Sequence, residues 1–329
     1  MSILRKNTAA LSLIAAMGLA SGNVYASLNA DLLGTTNINN FDINVGNANF
    51  GNGASNTGLN NIDQLNWSGY ILSDFGAGSP GVSGSTFTDY VVLKLGSAQD
   101  EFGSSENGGC LNFTCEITLV AQLSGEMTGA SGSGQFKITG VNSMKFFLDT
   151  ANVNANVGSV TGMNGYTDGT LVLTGSNIST LTNIGANTGS LTPFLGAGGG
   201  FNFQNQLFPV IGKDFLYSTD RAQSLFDAVS PEGLYSLIEG QITLQGLGVA
   251  GSMGCLGGVN CNLITNNFVS KFGLNPNSGF ELASVQTSPT ENIASKIPEP
   301  SSIALIGLGL IGFGISIKRR QSDLETLAA

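Results

Sequence analysis

Apolar and polar residues alternate in short stretches along most of the chain, and glycine, serine, asparagine and proline separate one stretch from the next. A period of two residues places the apolar side chains of a strand on one face of a sheet. This pattern predicts strands at residues 41–45, 67–75, 86–95, 116–123, 135–148, 170–174, 201–211, 241–249, 267–272 and 279–286. Short strands at this spacing predict an all-β fold, an antiparallel β-sandwich or jelly-roll-like domain.

One part of the chain has helical spacing instead. Asp220, with Gln223 three residues later, is typical of a helix N-cap, and a second short helix is predicted from Ser230 to Gly240. The apolar residues of this part recur at helical spacing and are expected to pack on the sheet: Leu225, Phe226, Val229, Leu234, Leu237 and Ile238. We therefore predict a short helical insertion, preceded by a long loop or boundary at residues 175–200 and followed at residues 287–296 by a polar linker.

The composition supports the β-fold and limits the partners. Glycine accounts for 47 of the 329 residues, and charged residues make up only 10% of the chain. Gly, Asn, Ser and Thr favour turns and strands over helices. The formal net charge is −10. Binding of a phosphate backbone requires clustered lysine and arginine, which residues 27–297 do not contain, so a nucleic-acid partner is excluded.

The first 26 residues have the pattern of a secretory signal peptide. Arg5 and Lys6 precede an apolar stretch at residues 9–20, and small residues lead up to Ala26. Cleavage after Ala26 is expected to leave an exported chain that begins at Ser27. We predict three segments: a signal peptide at residues 1–26, an exported all-β domain at residues 27–296 and a C-terminal segment at residues 297–329.

The C-terminal segment combines three features. The triplet Pro298, Glu299 and Pro300 is followed by an apolar run from Ile303 to Ile317. A helix of this composition satisfies its own backbone hydrogen bonds in lipid. Fifteen residues at about 1.5 Å each make a helix of roughly 22 Å, shorter than the roughly 30 Å hydrocarbon core. The length alone therefore leaves a plain membrane anchor or a buried core helix as alternatives.

A basic cluster, Lys318, Arg319 and Arg320, completes the pattern. Such clusters are held at the cytoplasmic face of a membrane. The order of triplet, apolar helix and basic cluster resembles the PEP-CTERM sorting signal of Gram-negative bacteria, although here the chain continues to Ala329 beyond it. The resemblance implies that an exosortase-type membrane protease processes the protein. It also implies a transient stay in the inner membrane, before delivery to the cell surface or extracellular matrix.

The four cysteines fit an oxidising compartment. Three pairings are possible, and the simplest joins Cys110 to Cys115 and Cys255 to Cys261. A zinc site is the rival interpretation. The absence of histidine and of Cys-x-x-Cys spacing argues against it.

The candidate chemistry is limited. Without histidine, Ser/His/Asp and Cys/His catalytic units cannot form. A glycosidase needs only two carboxylates, and Asp74, Asp89, Glu116 and Glu126 are available for that alternative. Scattered acidic residues are usually solvated, so we predict that the protein is not an enzyme and uses no cofactor.

Two kinds of binding site are conceivable. The acidic loop with Asp100, Glu101 and Glu106 offers oxygen ligands for calcium, although without EF-hand spacing. Trp67 and Tyr70 could present flat faces to a glycan, whereas a single tryptophan in a β-protein is more often a core residue.

The resemblance to PEP-CTERM proteins implies a function of a particular kind. Exported proteins with this signal accompany exopolysaccharide gene sets, which suggests a structural or adhesive role in biofilm or floc formation. The alternatives are a carbohydrate-binding, lectin-like adhesin and a polysaccharide-active glycosidase.

Overall fold

The computed structural model describes residues 35–38, 41–45, 59–78, 80, 82–100, 102, 104–106, 110–128, 135–176, 188–190, 198–210, 215–218, 225, 234–256, 260–287 and 292–296. Its strands are β1 (Thr35–Ile38), β2 (Phe41–Ile43), β3 (Leu59–Ile62), β4 (Gln64–Asp74), β5 (Thr86–Gln99), β6 (Ser105–Glu106), β7 (Glu116–Met127), β8 (Gln135–Asp149), β9 (Thr170–Ser176), β10 (Thr188–Ser190), β11 (Gly198–Pro209), β12 (Leu216–Ser218), β13 (Leu234–Gly248), β14 (Gly254–Cys255), β15 (Phe280–Thr287) and β16 (Asn292–Lys296). The helices are α1 (Val160–Gly165) and α2 (Cys261–Phe272).

The large sheet closes on itself. Its strands follow the order β13, β15, β4, β5, β7 and β8, each antiparallel to the next. β9 and β10 then share the gap between β8 and β11, and β11 pairs with β13 along ten residues. The prediction of an antiparallel all-β fold is confirmed. The facing layers of the sandwich are opposite walls of this one sheet.

The main core lies inside the closed sheet because alternate residues of its long strands, where their side chains are described, point inward. Leu93 of β5, Leu119 of β7, Phe203 of β11, Ile242 of β13 and Val285 of β15 are all buried members of this one cluster. The period of two that predicted the strands is therefore the period that fills the interior.

A second, three-stranded sheet covers one end of this core. β2 pairs with β12 on one side and with β3 on the other. Phe41, Ile43, Leu59 and Ile62 of this small sheet are at most 1% exposed. Ile43 lines a small interior space together with Trp67 of the large sheet. The end of the closed sheet at Trp67 is thus filled by apolar side chains.

The two helices cover part of the outer face. Phe268 and Ile264 of α2 and Met163 of α1 belong to one buried cluster. The sheet contributes Leu72 of β4 and Leu282 of β15, which face outward from the interior. Burial of apolar area on this scale contributes about 1.5–3 kcal/mol for each large side chain. The strands beneath the helices are therefore apolar on both faces.

Helix α2 corrects the prediction of a strand at residues 267–272. Asn260 caps its start by accepting a hydrogen bond from the Leu263 backbone N–H, and Gly273 ends it at a φ of 66°. The buried residues Cys261, Ile264, Thr265 and Phe268 have helical spacing. The predicted range, residues 267–272, covers only the last half of this helix. Six residues are too few to distinguish the helical period of 3.6 from the strand period of two.

The predicted helix from Ser230 to Gly240 is also wrong over its larger part. β13 begins at Leu234 and forms ladders with β11, β15 and β16. Pairing on both sides satisfies the backbone of the strand, and this tertiary gain outweighs a local helical spacing. The predicted first helix lies outside the described residues except for Leu225.

Two predicted connections contain strands. The linker at residues 287–296 includes β16, which pairs with β1 and β13. The long loop at residues 175–200 includes β10 and the start of β11. The polar and glycine-rich composition of both segments suggested loops. Short strands of this composition have no local pattern, and only their pairing with neighbouring strands identifies them.

Candidate functional site

The predicted sorting and export residues fall outside the described part of the chain. This holds for Ala26 and Ser27, for Pro298, Glu299 and Pro300, and for the apolar run with its basic cluster, that is Ile303, Ile317, Lys318, Arg319 and Arg320. Among the described residues, the structure has no helix that is long and apolar enough to cross a membrane. These assignments therefore rest on the sequence motif.

The structure confirms the predicted cysteine pairing, with bonds between Cys110 and Cys115 and between Cys255 and Cys261. The first bond closes a tight loop in which the backbone N–H groups of Phe113, Thr114 and Cys115 all donate to the Cys110 carbonyl oxygen. The second joins β14 to the first residue of α2. Each bond thus fixes one connection of the fold.

Two turns near the end of β5 carry exposed aromatic rings. Phe102 is 81% exposed and Phe113 is 75% exposed, the two largest values among the described hydrophobic residues of this size. We call this pair the aromatic tip. The Asp100 Oδ1 atom accepts hydrogen bonds from the backbone N–H of Phe102 at 2.9 Å and of Ser104 at 2.7 Å. The ring of Phe102 is therefore exposed on a constrained turn.

The Phe113 loop is attached to the same strand. The Asn112 side-chain amide donates to the Gly96 carbonyl oxygen at 2.8 Å, and Asn112 has a positive φ of 62° that turns the chain outward. Exposed aromatic side chains on rigid loops lose little conformational entropy when they contact a partner. The arrangement is suited to binding. Sequence reasoning missed it, since neither phenylalanine has a distinctive pattern around it.

The expected glycan contact at Trp67 is corrected by its burial. Trp67 is 2% exposed and packs edge-to-face against Phe146, with 5.8 Å between the ring centroids. Its indole ring has no face free for a sugar. Trp67 is a core residue, which was the alternative interpretation. Tyr70 is half-buried and packs against the cluster under the helices.

The proposed calcium ligands remain a prediction. Asp100 uses one carboxylate oxygen to hold the Phe102 turn. Glu101 and the side chain of Glu106 lie outside the described residues.

A different acidic cluster is present on the outer face. Carboxylate oxygens of Glu116, Asp149 and Asp168 lie within 4.8 Å of one another. Lys94 Nζ lies 2.8 Å from Glu116 Oε2, which neutralises the most buried of the three. Asp149 accepts the backbone N–H groups of Ala151 and Asn152. The cluster thus has a structural use, since it orders the chain between β8 and α1.

Inside the closed sheet, two carboxyl groups flank a serine. Asp89 on β5 and Glu281 on β15 each lie opposite Ser73 on β4, and Ser73 Oγ donates to Asp89 Oδ1 at 2.5 Å. Burial raises the pKa of Asp89 to about 7, against the lowering effect of the Ser73 hydrogen bond. Burial, and then repulsion from Asp89, raises the pKa of Glu281 to about 7.

These two carboxyl groups differ from the set considered for a glycosidase. Of that set only Asp89 faces the interior, whereas Asp74, Glu116 and Glu126 occupy the alternate, outward positions of their strands. Glu281 was not foreseen, because only the register of β15 with β4 brings it to this row.

The comparison with known families gives one match. The family model of the PEP-CTERM protein-sorting motif matches residues 296–320. This match implies export and sorting at a membrane. No curated protein and no solved structure matches the chain.

Proposed function

We propose that this chain, which carries the PEP-CTERM protein-sorting motif at residues 296–320, is an exported, non-enzymatic protein of the cell surface or extracellular matrix. An exosortase-type membrane protease would process it at the inner membrane. The folded domain would then serve as a structural or adhesive component of an exopolysaccharide-containing biofilm or floc.

The position of the motif supports the sorting step. β16 ends at Lys296, where it pairs with Thr35 of β1, and the motif begins at the same residue. The described strands therefore end where the sorting signal starts. Removal of the chain beyond the Pro298-Glu299-Pro300 triplet would leave all sixteen described strands in place.

The domain itself supports a structural or adhesive role. Two disulfides fix its connections, which suits an oxidising exterior. Its interior carboxyl pair, Asp89 and Glu281, lies among apolar side chains, and the carboxylates of the outer cluster are held by Lys94 and by backbone N–H groups. The proposal therefore assigns no catalytic step to the chain.

Mass spectrometry of the protein from the inner membrane and from the matrix of its native host tests the sorting step. We expect the matrix form to begin at Ser27 and to lack the chain beyond the triplet. A variant with Pro298→Ala, Glu299→Gln and Pro300→Ala should accumulate in the membrane with its tail intact. A matched variant with Ser301→Ala and Ser302→Ala should be processed normally. Matrix protein that still carries Arg320 contradicts the proposal.

A carbohydrate-binding adhesin is the second candidate, favoured by the aromatic tip. Binding of the purified protein to matrix polysaccharide should fall about tenfold in a variant with Phe102→Ala and Phe113→Ala, because stacked or packed aromatic rings contribute about 1–3 kcal/mol at binding hot spots. The matched control is Val82→Ala, because Val82 is an exposed hydrophobic residue in the turn before β5. Polysaccharide binding that does not respond to the tip variant rules out this site.

A further inference from the structure

The interior of the closed sheet contains a cavity. It leaves about 60 Å³ for the centres of water-sized molecules and is lined mainly by aliphatic and aromatic side chains, including Ile71, Val91, Leu119, Met144, Phe203 and Ile242. Well-packed cores rarely contain voids larger than a water molecule. A cavity of this size has room for several water molecules, so the described side chains do not fill this core completely.

One end of the cavity is lined by carboxyl groups. Asp89 lines it, and an adjoining space of about 30 Å³ shares Asp89 and Ile71 with it and adds Ser73 and Glu281. Asp89 is 5% exposed and Glu281 is 8% exposed. Two carboxyl groups at this depth require either a bound proton or a cation as a partner.

The described part of the chain supplies no cation to them. Lys94 is paired with Glu116 on the outer face. Lys137 and Lys145 are exposed on β8, and Lys271 bonds Asn164 and Thr167 beside the helices. Among the described side chains the carboxyl pair therefore has no cationic partner, and a proton or the cationic group of a ligand can supply its charge complement.

Another polar group inside the sheet, the amide of Asn205, is buried without a partner among the described residues. Asn205 is 0% exposed, and neither its Oδ1 nor its Nδ2 atom has a hydrogen-bond partner in the described structure. It occupies the same inward face of β11 as Phe203, which lines the cavity. An unpaired buried amide costs free energy unless something bonds it. The amide is not among the residues that line the cavity or its adjoining space, so it is a separate polar position of the interior.

We propose that this cavity is a binding site for a compact apolar molecule that carries a protonated amine. Its hydrocarbon part occupies the space between Ile71, Val91, Met144 and Phe203. Its ammonium group donates hydrogen bonds to Asp89 and Glu281 and compensates the charge of their ionised forms.

Three matched probes test the proposal by calorimetry with the full-length protein at pH 7. Phenethylamine carries a positive charge, 2-phenylethanol is its neutral counterpart, and phenylacetate is its anionic counterpart. Charge-assisted hydrogen bonds in a desolvated site are roughly twice as strong as neutral ones. We expect the amine to bind at least about tenfold more tightly than the alcohol, and phenylacetate not to bind.

The variant Asp89→Asn with Glu281→Gln keeps the shape of both side chains and removes their charge. It should reduce amine affinity about tenfold and leave alcohol affinity unchanged, because only the amine uses the charge. Glu126→Gln, on the outward face of β7, is the matched control and should leave both affinities unchanged. Urea unfolding of each variant shows that it is folded.

The outcomes are separable. Equal binding of amine and alcohol, amine binding that survives the double variant, or no binding of any probe to the folded protein overturns the proposal. None of these results bears on sorting, which depends on residues 296–320.

Discussion

Asp89 and Glu281 lie on the two strands that flank β4, and both are opposite Ser73 in the registers of those strands. The sequence separates them by almost the length of the domain, but the closed sheet brings them into one inward-facing row. Burial is the larger cause of the raised pKa of each group, and for Glu281 the charge of Asp89 adds to it. The fold therefore retains protons at neutral pH that the unfolded chain releases.

This row predicts that the protein loses stability as the pH rises from about 4 to about 7. The pKa values of Asp89 and Glu281 increase from 3.8 and 4.5 in the unfolded chain to about 7 in the fold. Within this interval the folded state binds more protons, so the free energy of unfolding falls with pH. Because each of the two groups releases most of a proton from the fold across this interval, we expect a loss of roughly 5 kcal/mol between pH 4.5 and pH 7.5, measured by urea unfolding.

The double variant Asp89→Asn, Glu281→Gln should remove most of this dependence, because neither replacement titrates. Glu126→Gln should retain it. A wild-type stability that is flat or that increases over the same interval would show that the pair is already neutralised by another group.

The local pattern of the sequence was enough for much of the fold. Residues 86–95 and 116–123 form long strands with one buried face. Val91 and Leu93 in the first, and Leu119 and Ala121 in the second, are two residues apart, which is the period of a strand. It was not enough at residues 230–240. The spacing of Leu234, Leu237 and Ile238 is that of a helix. This segment is nevertheless a strand, because its backbone pairs with β11 and β16.

The candidate sites were less predictable for the same reason. A carboxylate has no pattern of its own, and Glu281 meets Asp89 only through pairing of β15 with a strand more than two hundred residues earlier. Trp67 was equally ambiguous, since an aromatic ring in a strand faces either solvent or core. In contrast, the cysteine pairs could be predicted because short separations leave little choice.

Replacing Asn205 with leucine should stabilise the protein. Both polar atoms of the amide are buried without a partner among the described residues, and leucine has a similar branched shape without the desolvation cost. We expect a gain of about 1–2 kcal/mol in the free energy of unfolding, measured in urea. Asn205→Ala, which also removes the amide but leaves a void, should gain less. A clear loss of stability in the leucine variant would mean that the amide has a partner.

The ion pair between Lys94 and Glu116 should be important for stability. Glu116 has a side chain that is 1% exposed, and its oxygens also accept the backbone N–H of Ala155 at 3.1 Å. Lys94→Met leaves this buried carboxylate without its cation and should cost about 2–3 kcal/mol, less than a fully buried pair because the lysine side chain is 22% exposed. Lys145→Met, at an exposed position of β8, should change stability by no more than about 0.5 kcal/mol.

Adding Glu116→Gln to Lys94→Met distinguishes a charge effect from a packing effect. Glutamine has no charge to compensate and still offers an oxygen to Ala155. The double variant should therefore regain more than half of the lost stability. If it is as unstable as Lys94→Met alone, the lysine acts through packing of its hydrocarbon chain.

Replacement by alanine should have very different effects on stability at two glycines of neighbouring strands. A Cβ atom at Gly69 of β4 would overlap the Val92 carbonyl oxygen and lie 2.9 Å from the Leu93 Cα atom, both of them backbone of β5. At Gly96 of β5 the nearest atom to a new Cβ would be the Asn66 carbonyl oxygen at 3.5 Å, an ordinary contact. Since neither glycine has a positive φ, the difference between them is one of space.

Gly69→Ala must therefore displace β4 from β5 at the centre of the closed sheet. We expect it to lower the free energy of unfolding by about 2–4 kcal/mol, in the upper range of overpacking effects, whereas Gly96→Ala should change it by no more than about 0.5 kcal/mol. Thermal and urea unfolding of both variants measure the difference. If Gly69→Ala is as stable as Gly96→Ala, then β4 and β5 are farther apart at Val92 than the register of these strands indicates.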